Sequence, residues 1–360
     1  MLDPSILEQL RGVFSELRST LVLRARPSSH AAQPELLDLL HQLASTSGNI
    51  RVELAGGSSD VPHVDITRDG SPTGVSFHGV PGGHEFTSFV VALINADGRG
   101  KLPDAAITSR VRALKPGTIR TFVSLECTNC PDVVQALNTV ALLHPGVEHQ
   151  AVDGALSQAE AERLGVRAVP SVFIGDTLVH VGKSDLGELL GKLEAHLGRE
   201  IVPGGTRVTQ EPFEVAVIGG GPAGVAAAIY TARKGLRTAV IAQRMGGQLQ
   251  DTLGIENFIG VKRTEGPRLS ADLRDHLQEH DVTVLEHRRV DRGEDGALKT
   301  VIMEGGERVE ARNVILASGA RWRELNVPGE REYLGRGVAF CPHCDGPFYR
   351  GKDVAVVGGG

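Results

Sequence analysis

The sequence predicts an α/β protein: one small α/β unit played twice, then a parallel dinucleotide-binding domain and the opening of a second one. Three observations carry this. One order of strands and helices recurs in the first half of the chain, two Cys-x-x-Cys pairs stand far apart, and glycine-rich turns follow β-branched runs. The length of 360 residues suits two or three domains. Hydrophobic residues at 41% and charged residues at 23%, with no long uncharged apolar run, exclude a membrane span, a disordered chain and a coiled coil. A net charge of −6 does not suggest nucleic-acid binding. Met1-Leu2-Asp3-Pro4-Ser5 has neither the basic nor the apolar region of a signal peptide, so the chain reads as cytoplasmic.

In the first unit, Leu21 to Ala25 is a short apolar strand. Pro34 to Ala44 follows as an amphipathic helix with Leu36, Leu37, Leu40 and Leu43 on one side. Strands are expected at Ile50 to Leu54, His63 to Thr67 (directly after Pro62) and Val75 to His78, then a helix from His84 to about Ala96. The order is β-α-β-β-β-α. It returns with a strand at Ile119 to Ser124, a helix at Pro131 to Leu143 and a strand at Glu148 to Val152. An extra helix at Ser157 to Leu164, strands at Ser171 to Ile174 and Leu178 to Val181, and a helix at Ser184 to Leu197 complete the copy. The boundaries fall at 1–100 and 101–198. Residues 199–212, polar, aperiodic and holding Pro203-Gly204-Gly205, form an interdomain linker. Composition then shifts to the style of a parallel α/β sheet over 213–330, with 331–360 opening the last domain.

The first cysteine pair, Cys127-Thr-Asn-Cys130, lies between a strand and a helix that opens near Pro131. A helix N-terminus favours thiolate, the nucleophile of disulfide exchange, and a sulfur three residues on can close the ring. Structural zinc needs a second ligand pair nearby, and the other cysteines come only at Cys341 and Cys344. Redox chemistry is the favoured reading, with zinc and inert buried cysteines as the alternatives; no metal site is expected. In Ala168-Val169-Pro170-Ser171, a proline precedes a strand where thioredoxin-like folds set a cis-proline against the cysteines. The first unit has Arg24-Ala25-Arg26 where its pair would stand, so it is expected to be a redox-inert scaffold or docking surface.

Glu214 to Ile218 is a strand, followed by Gly219-Gly220-Gly221-Pro222-Ala223-Gly224 and a helix at Val225 to Lys234. This is Gly-x-Gly-x-x-Gly in the strand–turn–helix setting in which small residues let backbone approach a pyrophosphate. The acid expected after the next strand, Thr238 to Ile241, is Gln243, which can still hydrogen-bond a ribose. Gly246-Gly247-Gln248 adds a second backbone turn, and Asn257 is a further candidate for cofactor contact, an ordinary loop asparagine being the alternative. Val314 to Ala320 is similar to the strand and turn, here Ala317-Ser318-Gly319, by which flavin enzymes leave the cofactor domain. Cys341-Pro342-His343-Cys344-Asp345-Gly346 again favours redox, and Asp345 could protonate a departing thiolate or serve as a turn residue. Asp353 to Val357 with Gly358-Gly359-Gly360 reads as the first strand and Gly-x-Gly of a second dinucleotide fold.

Together GGGPAG, MGGQ, ASGA, NVPGE, CPHCDG and VAVVGGG resemble the low-molecular-weight thioredoxin reductase family of flavoproteins. The tandem unit, with GHEFTS at Gly83 to Ser88 and CTNCPDVVQALN at Cys127 to Asn138, is similar to one branch of that family, the flavoprotein component of alkyl hydroperoxide reductase. The resemblance implies two tandem thioredoxin-like units, a Rossmann-like FAD domain and the start of a nicotinamide domain. It also implies a relay from NADH to FAD, to Cys341 and Cys344, to Cys127 and Cys130, and to a two-cysteine peroxiredoxin in peroxide detoxification. Cys344 would lie near the isoalloxazine and Cys341 would make the interdomain exchange. Cys127 would attack the partner disulfide and Cys130 resolve it, with Glu85 tuning protonation of the first pair. Gly219–Gly224, Gln243, Gly246–Gln248, Asn257 and Ala317–Gly319 would serve FAD, and Gly358 and Gly360 the nicotinamide nucleotide. The resemblance also implies a homodimer, without nucleic-acid or membrane partners. Such a relay expects hinges near Gly335 to Gly337 and in the 199–212 linker.

Three departures from the family pattern stand out: Gln243 for an acid, Ser318 for the usual threonine, and no remaining nicotinamide domain or second half of the FAD domain. The 360 residues are therefore expected to be a fragment that binds FAD weakly and does not oxidise NADH. The alternatives are a thioredoxin-reductase-like enzyme with broader disulfide partners, or a shortened, non-enzymatic dithiol carrier.

Overall fold

A computed structural model describes residues 2–199, 211–252, 254–320, 325, 327–330, 333, 337–338, 349 and 351–358. The chain divides into two units, Met1–Val208 with Met303–Arg308, and Thr209–Ile302 with Val309–Gly360.

The first unit opens with α1 (Pro4–Phe14), β1 (Leu21–Arg26), α2 (Gln33–Ala44), β2 (Ile50–Leu54), β3 (His63–Arg68), β4 (Ser71–His78) and α3 (Glu85–Ala96). It continues with α4 (Ala105–Arg112), β5 (Gly117–Val123), α5 (Cys130–Leu143), β6 (Val147–Asp153), α6 (Gln158–Arg163), β7 (Ser171–Ile174), β8 (Thr177–Val181) and α7 (Leu186–Leu197). The eight strands form one sheet in the order β2-β1-β3-β4-β6-β5-β7-β8. Within β2-β1-β3-β4 the pairings are parallel, antiparallel, antiparallel, and within β6-β5-β7-β8 they are the same three. The repeat read from the sequence is therefore a repeat of topology, and the halves join edge to edge where β4 runs parallel to β6 with Val75 opposite His149.

Two helices, α1 and α4, were not anticipated from the sequence, and they occupy matching places before the first strand of each half. Each buries only a pair of apolar residues, Leu10 with Phe14 and Ile107 with Val111, too few to show a period. Capping starts them: Asp3 accepts from the Ser5 N–H, and Asp104 from the N–H groups of Ala106 and Ile107. Arg199 still belongs to the second half, through a bridge to Leu114, so the chain leaves that half later than expected. Most of the remaining stretch to Pro212 lies outside the described residues.

One buried cluster spans both halves, and the second half keeps another of its own around Ile119, Leu137 and Leu190. Leu21, Leu23, Leu36, Leu40, Phe77, Phe89 and Leu93 of the first half pack in one buried cluster with Val123, Cys130, Val134 and Ala151 of the second. Sheet residues at the junction include fully buried His149. Its Nδ1–H donates to Asn138 Oδ1 at 2.7 Å, and its Nε2 shares a 2.8 Å hydrogen bond with the Thr121 hydroxyl. Burial lowers its pKa to about 3. His78 is likewise lowered to about 3 by burial, with His63 stacked beside it at 4.1 Å.

The second unit holds β9 (Phe213–Ile218), α8 (Pro222–Arg233), β10 (Thr238–Ile241), a 3-10 turn at Gly247–Asp251, α9 (Gly266–Gln278), β11 (Val282–Leu285), β12 (Val290–Glu294), β13 (Lys299–Met303) and β14 (Arg308–Leu316). Its sheet order is β11-β10-β9-β14-β13-β12, and β11, β10, β9 and β14 run parallel. This is the α/β arrangement the sequence predicts, with ligand-ready loops at the carboxyl ends of adjacent strands. The expected strand at Asp353–Val357 is not formed: residues 353–358 pair with no strand, and Val354, Val356 and Val357 are exposed. A strand exists only through its neighbours, and β-branched composition does not supply them.

Candidate functional site: a buried disulfide and a glycine cradle

The first site grows from the turn between β5 and α5. Cys127 and Cys130 are joined as a disulfide, with Cα atoms 5.5 Å apart. Cys130 is the first residue of α5 and fully buried, whereas Cys127 is partly exposed. Asn129 occupies the N-cap without a side-chain cap bond, and the Cys130 N–H instead donates to Cys127 Sγ at 3.1 Å. A sulfur thus takes the place of a capping oxygen, and the unpaired N–H groups of the first turn stabilise negative charge there once the disulfide opens. The Val169 carbonyl oxygen lies 3.9 Å from Cys127 Sγ, and the Val169-Pro170 bond is cis. The proline singled out in the sequence therefore stands beside the cysteines.

The first half completes this site from outside the local sequence. The His84 N–H donates to the Leu125 carbonyl at 2.9 Å, two residues before Cys127. Gly83 has φ +53°, and a Cβ there would overlap that same carbonyl, so glycine is what lets the α3 entry lie against the redox loop. Glu85 then begins α3, only 1% exposed, with Phe86 and Val90 packed against the cluster that holds Cys130. Burial pushes the Glu85 carboxyl up to about 7. A glutamate in the first turn ordinarily gains from the helix dipole, and here desolvation outweighs that gain.

The topology corrects the position of the missing pair in the first half. Arg24, Ala25 and Arg26 lie inside β1, which runs on to Arg26. Counted from the strand end, the places of Cys127 and Cys130 fall on His30 and Gln33, at the entry to α2, with Pro62 ahead of β3. Neither residue carries sulfur.

The second site lies in the other unit. Gly219 follows β9 with φ +121°, where a Cβ would strike the Ala317 carbonyl at the end of β14. A Cβ at Gly224 would strike the Gly219 carbonyl, which explains the third glycine. Gly221 is the N-cap of α8, has no side-chain cap bond and faces open space, and Pro222 opens the helix. The Gly246 N–H donates to the Gly220 carbonyl at 2.7 Å, drawing Gly246 and Gly247, both at positive φ, onto the first turn. Uncapped N–H groups beside space that a side chain would fill suit an anionic pyrophosphate.

Gly219 to Gly224, Gly246, Gly247, Ala317 and Ser318 are thus brought together at neighbouring strand ends. Gln248 reaches the Ala320 carbonyl, beside Gly319, and Gln243 follows β10 with its carbonyl accepting from the His287 N–H at 3.2 Å. Asn257 is exposed, as is Gly358, and among the described residues neither hydrogen-bonds to the glycine turns. Cys341, Cys344, Asp345 and Gly360 lie outside the described residues, as does Gly335 of the expected hinge.

One residue the sequence did not reveal is Glu286. It accepts from the Met245 N–H at 2.9 Å and from Arg274 at 2.7 Å, bracing the glycine turn. Its partners stand 41 and 12 residues away, so no local pattern marks it. Among the described residues no group of three or more His, Cys, Asp or Glu is arranged to hold a metal, and no helix is long and apolar enough to cross a membrane.

The pyridine nucleotide-disulphide oxidoreductase family matches residues 213–360, and the thioredoxin domain family matches residues 118–194. The F subunit of alkyl hydroperoxide reductase from Pseudomonas putida is 45% identical over 100% of this chain and 70% of its own length. A Bacillus subtilis protein described as NADH dehydrogenase is 44% identical over the same shares. Among solved structures, the NTD_N/C domain of alkyl hydroperoxide reductase AhpF from Enterococcus faecalis superposes with TM-score 0.51 at 29% identity, covering 54% of this chain and 100% of that one.

Proposed function

The chain belongs to the AhpF family, the flavoprotein component of alkyl hydroperoxide reductase, and from that premise we propose that it passes electrons from NADH to a two-cysteine peroxiredoxin, ending at Cys127 and Cys130. That the chain is an oxidoreductase of the pyridine nucleotide-disulphide class follows from the family itself. The observation that carries the finer reading is the half-exposed, half-buried disulfide at an uncapped helix N-terminus, beside Val169-Pro170, with the entry to α3 hydrogen-bonded to its loop at Leu125.

The residues of the glycine cradle fit FAD: Gly219 to Gly224 would hold the pyrophosphate, Gln243 the ribose, and Gly246 to Gln248 with Ala317 to Gly319 the approach to the ring. FAD, when bound, supplies two-electron exchange between a nicotinamide and a dithiol. The role of Gly358 and Gly360 toward the nicotinamide nucleotide, that of Asn257 toward FAD, and the homodimeric, cytoplasmic state belong to the same proposal.

The thiol chemistry is carried by the chain's own atoms. A thiolate of the Cys341 and Cys344 pair attacks Cys127 Sγ, the only sulfur of the first disulfide with access to solvent. The Cys127–Cys130 bond breaks, and Cys130 leaves as a buried thiolate. Protonated Glu85 gives that sulfur its proton, so no net charge stays in the core. A second thiol of the donor pair resolves the mixed disulfide. In that resolving step Cys127 departs as the thiolate; Asp345 would give its proton to the donor-pair sulfur that departs when the Cys341–Cys344 disulfide is itself reduced. Toward the peroxiredoxin the steps reverse: Cys127 thiolate attacks the partner disulfide, Glu85 takes the Cys130 proton, and Cys130 attacks Cys127 to release the reduced partner.

Cys130→Ser should trap a covalent adduct between Cys127 and an oxidised two-cysteine peroxiredoxin, seen by non-reducing electrophoresis and mass spectrometry. Cys127→Ser should trap none. An adduct formed equally well with any disulfide-bearing protein would point to the broader thioredoxin-reductase-like reading instead.

A further inference from the structure

Buried Glu85 must change charge twice in each catalytic cycle if the foregoing reading holds. A carboxyl that alternates between acid and carboxylate inside a core needs a partner that can serve both states. Amide and ammonium donors serve only the anion. A hydroxyl rotates, donating to the carboxylate and accepting from the acid.

One such group stands in place. Ser88 is one turn on from Glu85 along α3 and fully buried, whereas Thr87 between them is exposed. A serine inside a helix ordinarily donates back to the carbonyl three or four residues earlier. Ser88 makes no such bond: neither its hydroxyl nor the two Glu85 carboxyl oxygens forms a hydrogen bond of good geometry, and the one polar influence set against burial of the carboxyl comes from the Ser88 hydroxyl itself. Three unpartnered polar atoms on one buried face are costly, and they balance only against one another or against what the redox step brings in.

We propose that Ser88 is the positioning residue for Glu85, holding its buried carboxyl in place in both of its protonation states. The inference rests on the assignment of Glu85 as the proton carrier. No other charged group shares the work. His84 and Glu126, on the loops that meet here, are exposed, and Asp132 of α5 pairs with Lys183 at 3.3 Å. Burial raises the Glu85 pKa and the Ser88 hydroxyl lowers it.

The test is the thiol–disulfide midpoint of the Cys127–Cys130 pair in the full chain, measured against glutathione or dithiothreitol buffers between pH 5 and 9. Wild type should show a change of slope near the Glu85 titration, and Glu85→Gln should abolish it. Ser88→Ala removes one oxygen and should move that change of slope upward by about one pH unit, the equivalent of one hydrogen bond to a charged group. Combining Ser88→Ala with Glu85→Gln should give the profile of Glu85→Gln alone. A profile that Glu85→Gln abolishes but Ser88→Ala leaves unmoved overturns the role of Ser88 and leaves Glu85 standing. A profile that Glu85→Gln does not alter overturns both. Because a purely structural serine would change the denaturation midpoint without moving the slope change, the two effects separate.

Discussion

The two halves of the first unit share strand order and pairing sense, and their helices match except for α6, which the second half alone carries, yet one holds a Cys-x-x-Cys disulfide and the other does not. The scaffold alone therefore makes no chemistry. What differs at the site is short: Cys127 and Cys130 stand against His30 and Gln33, and the Val-Pro bond before the third strand is cis at Val169-Pro170 but not at Val61-Pro62. The half without sulfur is nonetheless part of the site. It supplies the wall in which Cys130 is buried, the glycine that admits the Leu125 carbonyl, and the carboxyl of Glu85. One copy holds the disulfide and the other sets its surroundings.

The comparison breaks most sharply at the sulfur. Cys127→Ser should abolish electron transfer to any disulfide partner while the far-ultraviolet circular dichroism spectrum stays unchanged, because Cys127 is at the surface of the core. Equivalent substitution of His30 should leave the transfer rate as it was.

Acid should act next, at the junction of the halves. His149 and His78 are held neutral by burial, with pKa values near 3 against 6.5 for a free histidine. The unfolded chain takes up protons that the folded chain refuses, so stability falls as pH drops below 6.5. Between pH 6.5 and 5 the two histidines together withdraw about 3 kcal/mol. Denaturation midpoints at the two pH values would show it, and His149→Gln should remove about half of the slope. An unchanged slope in that variant would place the acid sensitivity elsewhere.

Glu85 works in the opposite sense. Its folded pKa is raised, so its contribution is fully present below pH 4.5 and is lost as pH rises through 7. Glu85→Gln should therefore stabilise the chain by up to about 3 kcal/mol at pH 8 and by almost nothing at pH 4. Measuring both pH values distinguishes a desolvated carboxyl from one that is merely well packed.

The smallest effect belongs to the silent half. His30 Nδ1 accepts from the Ala32 N–H at 3.1 Å, a capping contact at the entry to α2. His30→Ala should cost about 1 kcal/mol or less and leave the Cys127–Cys130 midpoint potential unaltered. A shifted potential would mean that the silent loop communicates with the redox loop.

Much of this was legible in the residues. Ile50–Leu54, Ser171–Ile174 and Thr238–Ile241 begin and end where the apolar runs do, because short strands between polar turns carry their own boundaries. The Gly219–Gly224 turn and the cysteine pair were legible for a different reason: each chemistry demands fixed residue types at fixed spacing. The α1 and α4 helices were not, since two buried side chains apiece leave no period to read. The place of the lost pair was misread by a few residues because β1 continues through charged Arg24 and Arg26, which tolerate a strand whose other face is buried.

By itself, then, the order of residues marked most strands and helices of the tandem unit, the strand–turn–helix around Gly219–Gly224, the spacing of the cysteines, and that one pattern occurs twice, while α1, α4, α9 and β11 to β13 were not read from it. The features it marked depend on neighbours within a few positions. Only the tertiary structure decided that the two copies fuse through β4 and β6, that Cys130 is buried in the other half's core, and that Glu85 loses its water and with it its ordinary acidity. Burial is a property of everything packed around a group, and residues more than forty positions apart in the chain supply it here.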